Sequence, residues 1–287
     1  MISIHSMTSL TENSENQLAK IRSKQAVDAL LIEAQLTPKP GLVDSLDTGT
    51  HSDMNLAIIE RSARSLEPAF SQMVNVAHDQ IPSQNLREEV ARIGREGEKK
   101  MFRATNGVNT HTGAIWAIGL LTSASVFFTP YKKKPGDICR LAGKLASYPD
   151  ERYTSNGETH GDRVKKHFQV SGARGEAMNG FPHVINIGLP TLTTAREKGY
   201  SENEAQLHVL IAIMAALDDT CILYRGGKEA LQTIQVNASK MMKQKMVNHD
   251  EIQRLNVKMI ELGVSPGGSA DLLAATVFLD IIKNQGG

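Results

Sequence analysis

The chain of 287 residues carries 32 Lys+Arg against 31 Asp+Glu, a net charge of +1, with 40% hydrophobic and only 5% aromatic residues. Near-neutrality argues against a protein that coats nucleic acid or an anionic membrane. Scarce aromatics beside plentiful Ala, Leu, Ile and Met point to helices and away from a β-sandwich or barrel. The two cysteines, Cys139 and Cys221, form neither a CxxC pair nor a disulfide framework, so a cytoplasmic protein is expected. The polar start lacks the apolar region of a signal peptide. The most apolar runs, 114–128 and 209–217, are interrupted or too short for a bilayer crossing of about 20 residues.

In chain order, residues 1–17 read as a flexible polar tail. Ile21, Val27, Leu30, Leu31, Ala34 and Leu36 give the spacing of an amphipathic helix, which Thr37-Pro38-Lys39-Pro40-Gly41 must end. Residues 41–55 form a polar loop, and helical patterning returns over 56–78. Ser83 or Asn85 caps a further helix with Leu86, Val90, Ile93 and Gly97 on one face. A polar loop over 102–113 opens into an apolar helix over 114–128. Residues 147–163 and 170–182 read as irregular. Helices are expected over about 183–198, 202–224, 228–262 and 272–283. No alternating β-branched run appears, so the expected fold is all-α. It is a single helical-bundle-like domain over 18–287, with polar Gly-rich loops converging on one site.

Five segments carry the chemistry. In the first, Lys39 sits on a loop stiffened by two prolines and suits a phosphate, while Gly41 permits close backbone approach. Asp44 and the His51-Ser-Asp53 pair offer metal ligands or a proton-transfer pair, or else plain turn formers. The second, with Asn109, Thr110 and His111 just before an apolar helix, suits phosphate at a helix N-terminus or supplies ordinary caps. The chain has no Walker A loop and no GxGxxG strand–turn–helix. In the third, Arg174 between glycines can fork onto a phosphate, and Glu176 can act as base or ligand; a surface ion pair is the plainer reading. In the fourth, Asp218 and Asp219 lie near the end of the 202–224 helix, where carboxylates oppose the dipole, so Mg²⁺ is the expected reason for them. Arg225 and Gly226 follow closely. The fifth, Ser265-Pro-Gly267-Gly268-Ser-Ala-Asp271, reads as a second anion cradle, with Asp271 either a site residue or a first-turn dipole partner. His183 and His208 stand in weaker contexts. Cys221 lacks a His partner at a recognisable spacing.

The stretches TPKPGLVD (37–44), HSDM (51–54), GVNTHTGAIWAIGLL (107–121), GARGEA (172–177), GFPHVIN (180–186), LDDT (217–220), RGG (225–227) and SPGGSADLLA (265–274) together resemble the triphosphoribosyl-dephospho-CoA synthase family. Trp116 and the LDDTC run ending at Cys221 resemble its malonate decarboxylase branch, against the branch serving citrate lyase. The resemblance implies an all-helical, Mg²⁺-dependent transferase that moves the triphosphoribosyl group of ATP to 3′-dephospho-CoA and releases adenine. A downstream transferase and an acyl carrier protein would then use the product; a homo-oligomer is left open. The implied roles are Asp218, Asp219 and Asp44 for metal, and Asp53, Glu176 and His111 for acid–base work. Lys39, Gly41, Asn109, Thr110, Arg174, Arg225, Gly226, Ser265, Gly267 and Gly268 would hold substrate. The rival readings are another helical Mg²⁺ enzyme, such as an ADP-ribosyl hydrolase, and a binding module without catalysis.

Overall fold

The computed structural model describes residues 4–129, 131–152, 160–244 and 248–285, with the side chains of 4–14 and 160–162 set aside. The helices are α1 (Ile4–Gln35), α2 (Leu56–Ser65), α3 (Glu67–Ala77), α4 (Gln84–Ala104), α5 (Thr112–Ser125), α6 (Pro135–Ser147), α7 (His160–Phe168), α8 (Gly172–Met178), α9 (Leu189–Glu197), α10 (Glu202–Ala216), α11 (Thr220–Met242), α12 (His249–Leu262) and α13 (Gly267–Gln285). One π-helical turn, Val184–Gly188, leads into α9. Among the described residues there is no strand.

Three helices are apolar nearly all round, and they form the centre. Nearly every residue of α5 from Ala114 to Ser125 is buried, as are most of α10 and α13. α13 packs against α1, α5 and α10, and α1 also packs on α3. One hydrophobic cluster runs from Ala19 to Ile282. Phe70, Phe127, Phe181 and Phe278 are each under 2% exposed, which stabilises by about 1.5–3 kcal/mol per side chain.

Several boundaries differ from the sequence expectation. α1 begins at Ile4, inside the stretch expected to be a tail, and Glu15, Asn16 and Gln17 on it are exposed. The single helix expected over 56–78 breaks at Leu66, because Pro68 opens α3 within its first two positions. The helix expected over 202–224 ends at Ala216; Leu217, Asp218 and Asp219 are not helical, and α11 starts at Thr220. The Arg225-Gly226-Gly227 turn lies within α11 as a break where Gly227 takes φ 69°, a value that favours glycine. The irregular stretch expected over 170–182 contains α8, and that over 147–163 lies partly outside the described residues.

Helix contacts are close enough to need glycine. A Cβ on Gly188 would lie 2.3 Å from the Thr276 Oγ1 of α13, and Thr276 is fully buried. Gly188→Ala is therefore expected to destabilise the protein by about 1–3 kcal/mol in urea unfolding. Gly136→Ala in the first turn of α6 meets nothing within 4 Å and should be neutral or slightly stabilising.

Candidate functional site

The loops before α2, α5, α8, α11 and α13 meet at one end of the bundle. Asp219 is the junction. It is 1% exposed. Its Oδ1 accepts from Cys221 N at 2.9 Å, capping α11, and from Gly268 N at 3.3 Å. Its Oδ2 accepts from Ser269 N at 2.8 Å and from Ser269 Oγ at 2.9 Å, closing the N-terminus of α13. Two helix N-termini thus share one carboxylate. Burial pushes this carboxyl up, and the donated hydrogen bonds pull it back. A carboxylate offers about four lone-pair sites, and all four are used here. Asp219 therefore has no lone pair free for a metal, and it fills the α13 cradle that Ser265, Gly267 and Gly268 were expected to offer a phosphate.

Asp271, one turn further along α13, is different. Its Oδ2 lies 2.0 Å from where a Cβ on Gly113 would stand, so the carboxyl presses on the first turn of α5. It lies deep among packed atoms, and the residue keeps a small part of its surface accessible. No hydrogen-bond donor reaches it among the described residues. Burial first, then the charges of Glu33 and Asp219, hold its pKa well above the ordinary carboxyl range. The sequence left Asp271 balanced between a site and a dipole partner.

The first loop folds around its own polar groups. Lys39 is 3% exposed, and its Nζ donates to Glu33 Oε1 and to the Glu33 carbonyl, each at 2.8 Å. Its charge is thus spent inside the protein and does not face a phosphate. Asp44 accepts from Lys39 N (2.7 Å), Leu46 N (2.7 Å) and Asp47 N (3.1 Å), so it holds the loop closed. Gly41, at φ 71°, donates its N–H to Asn256 Oδ1 at 2.8 Å. Glu33 was not singled out in the sequence, where it reads as one more charge on a helix.

Three histidines take distinct roles. His111 is buried, and Ser62 Oγ stands 2.7 Å from its Nδ1 and 2.6 Å from Thr110 Oγ1. Burial, with Lys39 adding, lowers its pKa to about 4, so the imidazole is neutral at pH 7. Asn109 Oδ1 accepts from Thr112 N at 3.3 Å, at the start of α5. His51 Nε2 shares a 3.0 Å hydrogen bond with Ser265 Oγ, while Asp53, 60% exposed, stands 3.9 Å from Nδ1 at the rim. Burial and the nearby Arg225 charge lower the His51 pKa, against Asp53. Arg225 itself is exposed, and Gly226 is packed so that a Cβ would lie 2.6 Å from Val264 Cγ1.

His183, set aside in the sequence, forms a clamp with Glu176. Glu176 accepts from His183 N at 2.9 Å and from Nδ1 at 2.7 Å. The Ala216 carbonyl and the Asp218 charge also act on the ring, and the Glu176 hydrogen bond leads in raising its pKa. This ties α8 to the end of α10. Glu176 is thus engaged, not free as a base. The signal for His183 was its place in the 180–186 motif. Cys221 is held as a thiol, since burial and the Asp219 and Asp271 charges push it up. Asp218 is exposed, accepts no hydrogen bond among the described residues, and takes no part in the cap formed by Asp219. Neither lies within the helix expected over 202–224. No group of three or more His, Cys, Asp or Glu stands together as a metal cage among the described residues, and no single helix there is long and apolar enough to cross a membrane.

A helical frame that gathers carboxylates, imidazoles and guanidinium groups at one end has the makings of an enzyme. A family model described as ATP:dephospho-CoA triphosphoribosyl transferase (CitG) matches residues 20–287. A Klebsiella pneumoniae protein named 2-(5''-triphosphoribosyl)-3'-dephosphocoenzyme-A synthase is 46% identical over 255 residues, 88% of this chain and 90% of its own. An Azotobacter vinelandii relative, with the same name qualified as probable, is 43% identical over 271 residues, 93% of this chain and 92% of its own. A crystal structure from Archaeoglobus fulgidus, a candidate triphosphoribosyl-dephospho-CoA synthase, shares the fold at TM-score 0.52 and 19% identity, covering 77% of this chain and 96% of that one. The chain belongs to the CitG family and is an enzyme.

Two tests follow from this geometry. Asp219→Ala strips both helix caps and leaves buried donors unpaired, so it should cost about 2–4 kcal/mol in urea unfolding; Asp218→Ala should leave stability unchanged. The His183 pKa is raised in the folded state, so its stabilisation is complete below the unfolded value of about 6.5 and is lost as pH rises through the folded value. His183→Gln should flatten that fall in a stability–pH series.

Proposed function

We propose that the chain transfers the triphosphoribosyl group of ATP to 3′-dephospho-CoA and releases adenine, with Asp271 as the group that takes the acceptor's proton. The observation that carries this reading is the carboxyl of Asp271, which lies deep where α13 meets the first turn of α5 and accepts no hydrogen bond among the described residues. The acceptor 2′-hydroxyl attacks the anomeric carbon of the ATP ribose, the bond to adenine breaks, and the transition state takes on oxocarbenium character. A carboxyl that burial lifts above the ordinary carboxyl range is a stronger proton acceptor than a free one, and once ionised it stabilises the positive ribose. His111, neutral beside Ser62 and Thr110, keeps a hydrogen-bonding ring at the α5 end of the cleft. Arg225, exposed beside His51, takes the triphosphate together with the first turn of α5.

The residues present fit Mg²⁺ held largely by substrate. Asp218 is a carboxylate without a donor near the mouth, and Mg²⁺ commonly takes one or two carboxylates plus substrate phosphates. Asp218 would hold it, and bound there it would offset the charge of the triphosphate. Asp44 and Asp219 are left in this reading to shape the loop and the helix caps. Trp116 and the 217–221 run support service to malonate decarboxylase, with a downstream transferase and its acyl carrier protein as later partners.

Incubation with ATP, Mg²⁺ and 3′-dephospho-CoA should release adenine only when both nucleotides are present. Release from ATP alone would contradict the reading. Asp271→Asn should cut kcat by about 10²–10⁴-fold with the KM for ATP little changed. An Asp271→Asn enzyme with wild-type kcat would remove the assigned role.

A further inference from the structure

α4 places a buried cation beside the cleft. Arg87 is 7% exposed, its guanidinium stands 4.9 Å from the centroid of the Trp116 ring, and its Nε is buried without a hydrogen-bond partner. Burial pulls its pKa down, and the nearby Arg174 charge adds to that. The acidic groups acting on Arg87 are already engaged. Glu88 Oε2 pairs with Arg152 at 2.5 Å, and Asp150 pairs with Arg95. Among the described residues, the guanidinium groups of Arg87, Arg95, Arg152 and Arg174 thus gather around the carboxylates of Glu88 and Asp150. A desolvated arginine that makes no hydrogen bond is costly to keep, and an anion arriving there removes that cost.

The patch adjoins the loop cluster already described. Trp116 lies three residues after Gly113, about 4.5 Å along α5, and Gly113 meets Asp271. Trp116 Nε1 donates to the Ala173 carbonyl at 3.2 Å. The adjacent Gly172 faces Thr220, the residue after Asp219; a Cβ there would lie 3.5 Å from Thr220 Cγ2. Trp116 keeps part of its ring accessible, and Arg174 is exposed.

We infer that Arg87, Trp116 and Arg174 form a subsite for the diphosphate ester of the acceptor nucleotide, separate from the groups that hold the triphosphate of the donor. A diphosphate diester carries two negative charges, which the guanidinium groups of Arg87 and Arg174 can meet. Arg174 can grip it with a bidentate fork from the surface side. Trp116 carries Arg87 on its ring and holds it in place. The inference rests on the transfer reading above, because that reading supplies an acceptor bearing a diphosphate.

Trp116 is the sole tryptophan of the chain, so its fluorescence reports on this patch alone. Titration with 3′-dephospho-CoA should change the emission, and titration with ATP should leave it nearly unchanged. Arg174→Gln, on the surface, and Arg87→Gln, checked for folding by circular dichroism, should raise the KM for the acceptor about 10–100-fold. The KM for ATP should stay within about twofold of wild type in both. An equal rise in both KM values, or an acceptor-induced emission change that survives intact in Arg174→Gln, would overturn the inference. The transfer reading fails separately: it falls if wild type releases no adenine. An acceptor-induced emission change lost in Arg174→Gln would still establish the diphosphate site in that case.

Discussion

One buried carboxylate organises the functional end of this molecule. Asp219 accepts from Cys221 at the start of α11 and from Gly268 and Ser269 at the start of α13. Each helix N-terminus leaves N–H groups without an internal partner, and bringing two together without a shared acceptor would bury several unpaired donors. The charge is tolerated deep in the protein because every lone pair is met and two positive dipole ends face it. This arrangement also fixes where α10 stops. Leu217, Asp218 and Asp219 leave the helix so that Asp219 can turn inward.

The other polar groups divide according to whether the protein satisfies them. Lys39 is met by Glu33, Asp44 by three backbone N–H groups, and Glu176 by His183. These residues belong to the family motifs, yet their side chains are engaged in shaping loops. Among the described residues, Asp271, Asp218 and Arg225 make no side-chain hydrogen bond, and neither do Arg87 and Arg174 on the α4 and α8 side. Motif membership therefore mixes residues that build the cleft with residues that face into it. The hydrogen-bond partners separate the two.

The helices and the loops between them were legible because apolar periodicity and Gly, Pro and Asp clusters are local signals. The convergence of those loops was legible only through their number and the family resemblance. What escaped depends on tertiary packing. Asp218 and Asp219 look alike in sequence, yet one caps two helices and the other lies in solvent. Glu33 and Arg87 read as ordinary charges on amphipathic helices, and only the neighbouring elements bury them. His183 carried no spacing signal toward Glu176, since a tight bend at Phe181, with φ 56°, brings them together. The break at Leu66 was signalled by Pro68 and overridden by the continuous apolar pattern.

Asp271 is central to how this cleft would perform group transfer, because it is the deep carboxyl that the protein leaves without a donor. The most direct measurement is the pH dependence of kcat for adenine release in wild type and Asp271→Asn. A wild-type rate that climbs with pH, with its inflection well above the ordinary carboxyl range near 4, and a variant that is slow and flat over the same range, is the predicted result. An identical profile in the two proteins would contradict the assignment of the proton acceptor to Asp271.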